Sequence, residues 1–137
     1  MRISTPLSTI SLPGQIADCV ARYRLSDPAK RDIASILRTS EERHGPLARI
    51  RYRALLAAAM RRIAVDPEGV STADRAELAR GMRSFHIRHS RDESGEAPVA
   101  SPVHVVFYRM LEPGLVEIIR VLHERMDPSG PGSAFQP

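Results

Sequence analysis

Apolar positions recur along this chain with two different periods, and the switch between them separates helices from strands. Ala29, Ile33, Ile36 and Leu37 fall at i, i+4, i+7 and i+8, a single stripe of a helix, with Lys30, Arg31, Arg38, Glu41 and Glu42 outside it. Ser26-Asp27-Pro28 predicts where that helix starts, because Asp27 can cap free amides and proline suits the first helical position. His44-Gly45-Pro46 predicts its end near Arg43 and the opening of a second helix over 46–65. In the second helix Tyr52, Leu55, Leu56, Ala59 and Ile63 share one sector, with Arg49 and Arg53 on one flank and Arg51 and Arg62 on the other. That division predicts a solvated amphipathic helix whose long side chains border the core.

Beyond residue 100 the period falls to two. Apolar runs over 103–111 and 115–122 flank Glu112-Pro113-Gly114, which predicts a β-hairpin. Alternation puts Val103, Val105, Phe107 and Arg109 on one face of its first strand and His104, Val106, Tyr108 and Met110 on the other. In its second strand Leu115, Ile119 and Val121 oppose Val116, Ile118 and Leu122, with Arg120 among the latter. Both faces are mostly apolar, so both must be covered or one must bind a partner.

Shorter signals complete the order. ARYRL over 21–25 alternates as a short first strand with Tyr23 and Leu25 on one side. Residues 71–80 read as a short turn of helix, and GMRSFHIRHS over 81–90 as a strand more exposed than the hairpin, with Arg83, Phe85 and Ile87 on one face. Residues 90–101, SRDESGEAPVAS, form a long polar insertion, and the Ser/Thr/Pro-rich start and Pro/Gly/Ser-rich end read as flexible. The expected organisation is an N-terminal arm over 1–20, a single domain over 21–127 and a disordered tail over 128–137. The fold class is α+β: a short first strand, a two-helix hairpin, then a three-stranded antiparallel sheet with both helices on one face.

Composition narrows the class without naming a function. With 42% hydrophobic and 26% charged residues the 137-residue chain fits a soluble domain, and no apolar run is long enough to span a membrane. Nineteen arginines and the single Lys30 give a net charge of +4, which favours acidic partners, whether nucleic acid or protein. Cys19 is the only cysteine, which excludes an internal disulfide and a cysteine metal cluster. The first residues lack the apolar segment of a secretory signal, so the expected compartment is the cytoplasm.

No phosphate-binding loop and no GxSxG, HExxH or CxxC arrangement occurs. His86, His89, His104 and His123 lie on or beside predicted strands, but His86 and His89 point to opposite faces of an extended strand, which argues against a metal site. Glu117 and Glu124, seven apart, likewise form no acid/base pair. No catalytic residue, metal or cofactor is therefore expected. The arginines offer more: Arg83, Arg109, Arg120 and Arg125 lie on different strands or at their ends, where a curved sheet could bring some of them together around a phosphate or an acidic surface.

FYR at 107–109, IIRVLHERMD at 118–127 and GMRSFHIRHS at 81–90 carry a resemblance to the RelE/ParE toxin superfamily, and RVLHERMD resembles its ParE branch. The resemblance runs from about Tyr23 to Asp127. It implies a bacterial type II toxin, acting in plasmid stabilisation, that inhibits DNA gyrase without catalysing a reaction. A cognate antitoxin, of ribbon-helix-helix type, would neutralise it through contacts the sequence does not assign. Arg83, Arg109, Arg120, His123 and Arg125 are then the target-binding candidates. Two alternatives stand beside it: a RelE-type mRNA endonuclease, and a non-toxic relative that only binds an antitoxin. The endonuclease branch carries a tyrosine and basic groups in its C-terminal segment, whereas this chain has no tyrosine after Tyr108 and no lysine in the predicted sheet.

Overall fold

The computed structural model describes residues 21–129; the expected arm over 1–20 and the tail beyond Ser129 lie outside the described residues. The elements are β1 (Arg22–Leu25), α1 (Asp27–His44), α2 (Pro46–Val65), β2 (Thr72–Asp74), β3 (Arg83–His86), β4 (His104–Glu112) and β5 (Leu115–His123). A single 3-10 turn, Ile87–Ser90, follows β3. The cap of α1 is Ser26 in place of Asp27: its backbone is extended and its Oγ accepts the Ala29 N–H at 3.1 Å, while Asp27 supplies negative charge to the first turn. Gly45, at φ 92°, lets α2 begin one residue after α1 stops.

The sheet has five strands in the order β1-β5-β4-β3-β2, not three. β1 runs parallel to β5, with Tyr23 opposite Val116 and Leu25 opposite Ile118, and every other pairing is antiparallel. Besides the expected three, β1 joins one edge and β2 the other, the latter where a helical turn was expected. Thr72 bonds back to Gly69 through its amide and hydroxyl, and that turn presents Thr72–Asp74 to β3. The ladder thereby satisfies backbone groups that a short isolated helical turn would leave open. β3 is also less exposed than its polar neighbours suggest, because Ser84, Phe85 and the following Ile87 are all buried.

One face of the sheet packs on the helices. Val106, Tyr108, Val116, Ile118 and Val121 meet Leu55, Leu56, Ala59 and Ile63 of α2 and Ala29 and Leu37 of α1. Each fully buried Leu or Ile here contributes about 1.5–3 kcal/mol. The alternation expected for β5 fails at one point. Phe107 faces Arg120 but Tyr108 faces Ile118, so Ile119 is an extra residue, a β-bulge. Beyond it the faces exchange: Val121 turns to the helices and Leu122 to the opposite side.

The opposite face is not bare either. Residues 75–82, between β2 and β3, fold across it, and Leu78 and Ala79 cover Met82, Phe107 and Leu122. The Arg75 guanidinium lies 5.5 Å from the Phe107 ring centroid. What remains open is the half built from β1, β5 and the end of β4. The second helix also departs from expectation. Its core sector is buried as predicted, yet its outward side carries Leu47, Ile50 and Val65, all exposed, so α2 is apolar on both sides.

Candidate functional site

The five target-binding candidates are distributed over four locations. Arg83 lies at the start of β3 on the helix side, donating to the Pro67 carbonyl at 3.2 Å and to Thr72 Oγ1 at 2.7 Å. Tyr108 Oη donates to the same carbonyl at 2.5 Å, so Arg83 and Tyr108 together pin the segment that follows α2. Arg120 is held by Asp32 of α1, with Nε and one terminal nitrogen at 2.6 and 2.8 Å. That bidentate bond, first, and the facing charge raise the arginine above its usual pKa. Arg109 projects from the open face, and Arg125 is exposed in the turn after β5.

On the open face the register aligns Arg24 of β1, Glu117 of β5 and Arg109 of β4 in one row across three strands. Glu117 lies 3.5 Å from Arg24 and 3.6 Å from Arg109, and Arg22 is 3.8 Å from Glu112. The arginine side chains are 61% and 49% exposed against 16% for Glu117, so the carboxylate lies beneath two accessible cations. Such exposed pairs contribute about 0–1 kcal/mol each. Their guanidinium groups retain donors free to meet an acidic partner.

His123 belongs to a different neighbourhood, at the end of the sheet where β4 begins and β5 stops. It stands opposite His104, with the two rings edge-to-face at 5.6 Å. Tyr52 of α2 reaches the same place. Its Oη accepts the Val103 N–H at 3.2 Å and shares a hydrogen bond with His104 Nδ1 at 2.6 Å. Burial, and then His123 and His86, push His104 down to about 4, while burial pushes Tyr52 up to about 12. At neutral pH the pair is thus an uncharged phenol and an uncharged imidazole.

Two further histidines are ordered by backbone amides. His86 and His123 each accept, at Nδ1, the N–H two residues ahead, at 3.1 Å in both cases. His86 then donates Nε2–H to Glu124 at 2.7 Å, which holds that carboxyl below its usual range. With its Nδ1 accepting a backbone N–H, neutral His86 carries its proton on Nε2, so both of its ring nitrogens are engaged. Among the described residues no group of three or more His, Cys, Asp or Glu is placed to hold a metal ion.

The residues sequence reasoning passed over are Tyr52, Arg24 and Asp32. His104 was visible as the histidine on a strand face shared with Val106 and Tyr108, but its partner Tyr52 read only as a core residue of the second helix. Arg24 could not have been found, because its place beside Glu117 depends on β1 pairing with the last strand. A family model described as ParE toxin of type II toxin-antitoxin system, parDE, matches residues 23–128. No curated protein matches the chain.

Proposed function

Because the chain belongs to the ParE toxin family, the toxin half of a type II toxin-antitoxin system whose other half is an antitoxin, we propose that it acts in the cytoplasm by binding DNA gyrase and halting its cycle without catalysing a reaction. A cognate antitoxin of ribbon-helix-helix type neutralises it. The single observation that carries this reading, beside the family match, is the open sheet face with Arg24 and Arg109 bordering Glu117 and Arg22 beside Glu112. Two of the basic groups an RNA-cleaving centre would draw on are committed internally, Arg120 to Asp32 and Arg83 to Thr72 and Pro67. Electrostatic stabilisation of a cleaving phosphate requires donors aimed at one point. The accessible arginines instead spread along a flat row, which suits an acidic protein surface.

The test is to express the protein alone and with its operon neighbour. Growth arrest with relaxed plasmid and intact transcripts, relieved by the neighbour, is the expected result. Cleaved transcripts with unchanged plasmid topology would move the activity to mRNA. Normal growth of cells that accumulate the folded protein would remove the toxin reading.

A further inference from the structure

The row of Arg24, Glu117 and Arg109 is built differently from the ion pair beside it. Arg22 and Glu112 lie 3.8 Å apart with side chains 38% and 62% exposed, so acid and base there meet water alike. In the row the acid is 16% exposed and its two bases 61% and 49%. Arg24 and Arg109 start from β1 and β4 with β5 between them, so their backbones stand two strand spacings apart, roughly 10 Å. Both side chains nevertheless lean on one carboxylate, Arg24 Nε at 3.5 Å from one oxygen of Glu117 and Arg109 at 3.6 Å from the other. These charge contacts are longer than an ordinary hydrogen bond, which leaves guanidinium donors for a ligand. Without the acid, two like charges on long side chains would repel and spread over many rotamers. Glu117 fixes both before a partner arrives, and that removes part of the ordering cost of association.

The flanks identify the kind of anion. Leu115 and Ile119 precede and follow Glu117 on the open side of β5, both half-buried, and Ile119 packs on the patch of Met82, Phe107 and Leu122. An anion over the two arginines thus has apolar surface at either end. An Asp or Glu that stands between apolar residues of a protein fits that arrangement. A nucleic-acid backbone, charged at every unit, would set phosphates against both apolar ends.

We propose that Glu117 is the positioning residue of the open face: it holds Arg24 and Arg109 as a paired receptor for one carboxylate of the target protein, with Leu115 and Ile119 as the apolar contacts on either side. This deepens the reading of that face as the gyrase-binding surface and rests on it for the identity of the target. The consequence is a reversal of sign. Were the arginines to act only through their field, removal of any nearby negative charge would strengthen association with an acidic partner. Glu117→Gln should instead weaken it, although the chain becomes more positive. Glu112→Gln, which removes the acid of the fully hydrated pair, should strengthen it.

The experiment follows the arginine Nε–H resonances of the isotope-labelled full chain, with Arg24 and Arg109 assigned through Arg24→Lys and Arg109→Lys. Both resonances should move in Glu117→Gln before any ligand is added. On titration with poly-L-glutamate the two should shift together in the unaltered chain, and a glutamate–leucine copolymer should shift them at lower concentration. Glu117→Gln should need on the order of tenfold more polymer, Glu112→Gln less, and Glu117→Asp should recover part of the loss. Purified gyrase on a biosensor should rank the variants in the same order, with Glu117→Gln acting through faster dissociation. Circular dichroism verifies that these surface variants are folded. The proposal is overturned if Glu117→Gln leaves the two resonances in place, if it binds polymer as tightly as the unaltered chain, or if the two polymers act alike. It is also overturned if a DNA duplex shifts Arg24 and Arg109 in preference to the polymers. The expected polymer ranking from a chain that does not bind gyrase would uphold the carboxylate receptor and remove the gyrase reading.

Discussion

Replacing Asp32 with alanine should be among the most damaging single changes outside the apolar core. The carboxylate takes three hydrogen bonds, from Arg120 Nε at 2.6 Å, from its terminal nitrogen at 2.8 Å and from the Val121 amide at 3.0 Å. The Asp32 side chain is 14% exposed and that of Arg120 24%. Removing one partner of a fully buried pair costs about 3–5 kcal/mol, chiefly because the other charge is left without compensation. Partial solvent access at Arg120 lowers that, and the unpaired Val121 N–H adds to it, which together give about 2–3 kcal/mol. For a domain of this size each kcal/mol moves Tm by roughly 3–4 °C, so a fall of roughly 6–12 °C is expected. Urea unfolding should show a lower midpoint at unchanged slope. A double-mutant cycle with Arg120→Ala isolates the pair, and a coupling of about 1.5 kcal/mol or more is expected. If Asp32→Ala costs under about 0.5 kcal/mol, the bond between α1 and β5 is not what holds Arg120, and the argument that Arg120 is structural fails.

Three further outcomes follow from the geometry. His104 is pushed down to about 4 from 6.5 in the folded chain, so its unfolded form binds a proton first. Stability is complete above pH 6.5 and lost as pH falls toward 4, by about 1–2 kcal/mol after allowance for its partial exposure; His104→Phe should flatten the profile of unfolding free energy between those limits. Tyr52→Phe removes the oxygen that serves both Val103 and His104 and should cost about 1–3 kcal/mol in chemical denaturation, with no change at Arg120 or α1. Gly45→Ala meets no atom within 4 Å, but φ of 92° is strained for any side chain, so a loss of about 1–3 kcal/mol by thermal unfolding would be torsional in origin.

Much of this fold was legible from periodicity because most elements obey one period. The α1 stripe, the core sector of α2 and the inward faces of β1 and β4 all lie where alternation predicts them. The misses occur where tertiary pairing overrides the local pattern. Residues 72–74 are too few to announce a strand, and only the partner β3 makes them one. The exchange of Val121 and Leu122 depends on a bulge that leaves no mark on composition. The site was less legible for a related reason. An arginine on a strand reads the same whether it stays half-exposed beside a carboxylate of the next strand, as Arg109 does, or is held by one 88 residues away on a helix, as Arg120 is.

The bulge at Ile119 also explains why the helical hairpin stands where it does. β1 pairs with β5 only as far as Leu25 and Ile118, so the outer edge of β5 beyond that point would leave the Ile119 carbonyl and the Val121 amide without ladder partners. Both are met from the start of α1: Ser26 Oγ donates to Ile119 O at 2.8 Å, and Asp32 accepts from Val121 N. Unpaired backbone groups are costly enough that this edge and α1 must form together. Gly45 then turns α2 directly back along α1, and the core sector of α2 is seated on the sheet by Leu55, Leu56 and Ile63. With one side of α2 committed to the sheet and its position fixed through α1, the sector bearing Leu47, Ile50 and Arg61 has only one direction to face. Its exposure is a consequence of how β5 is satisfied.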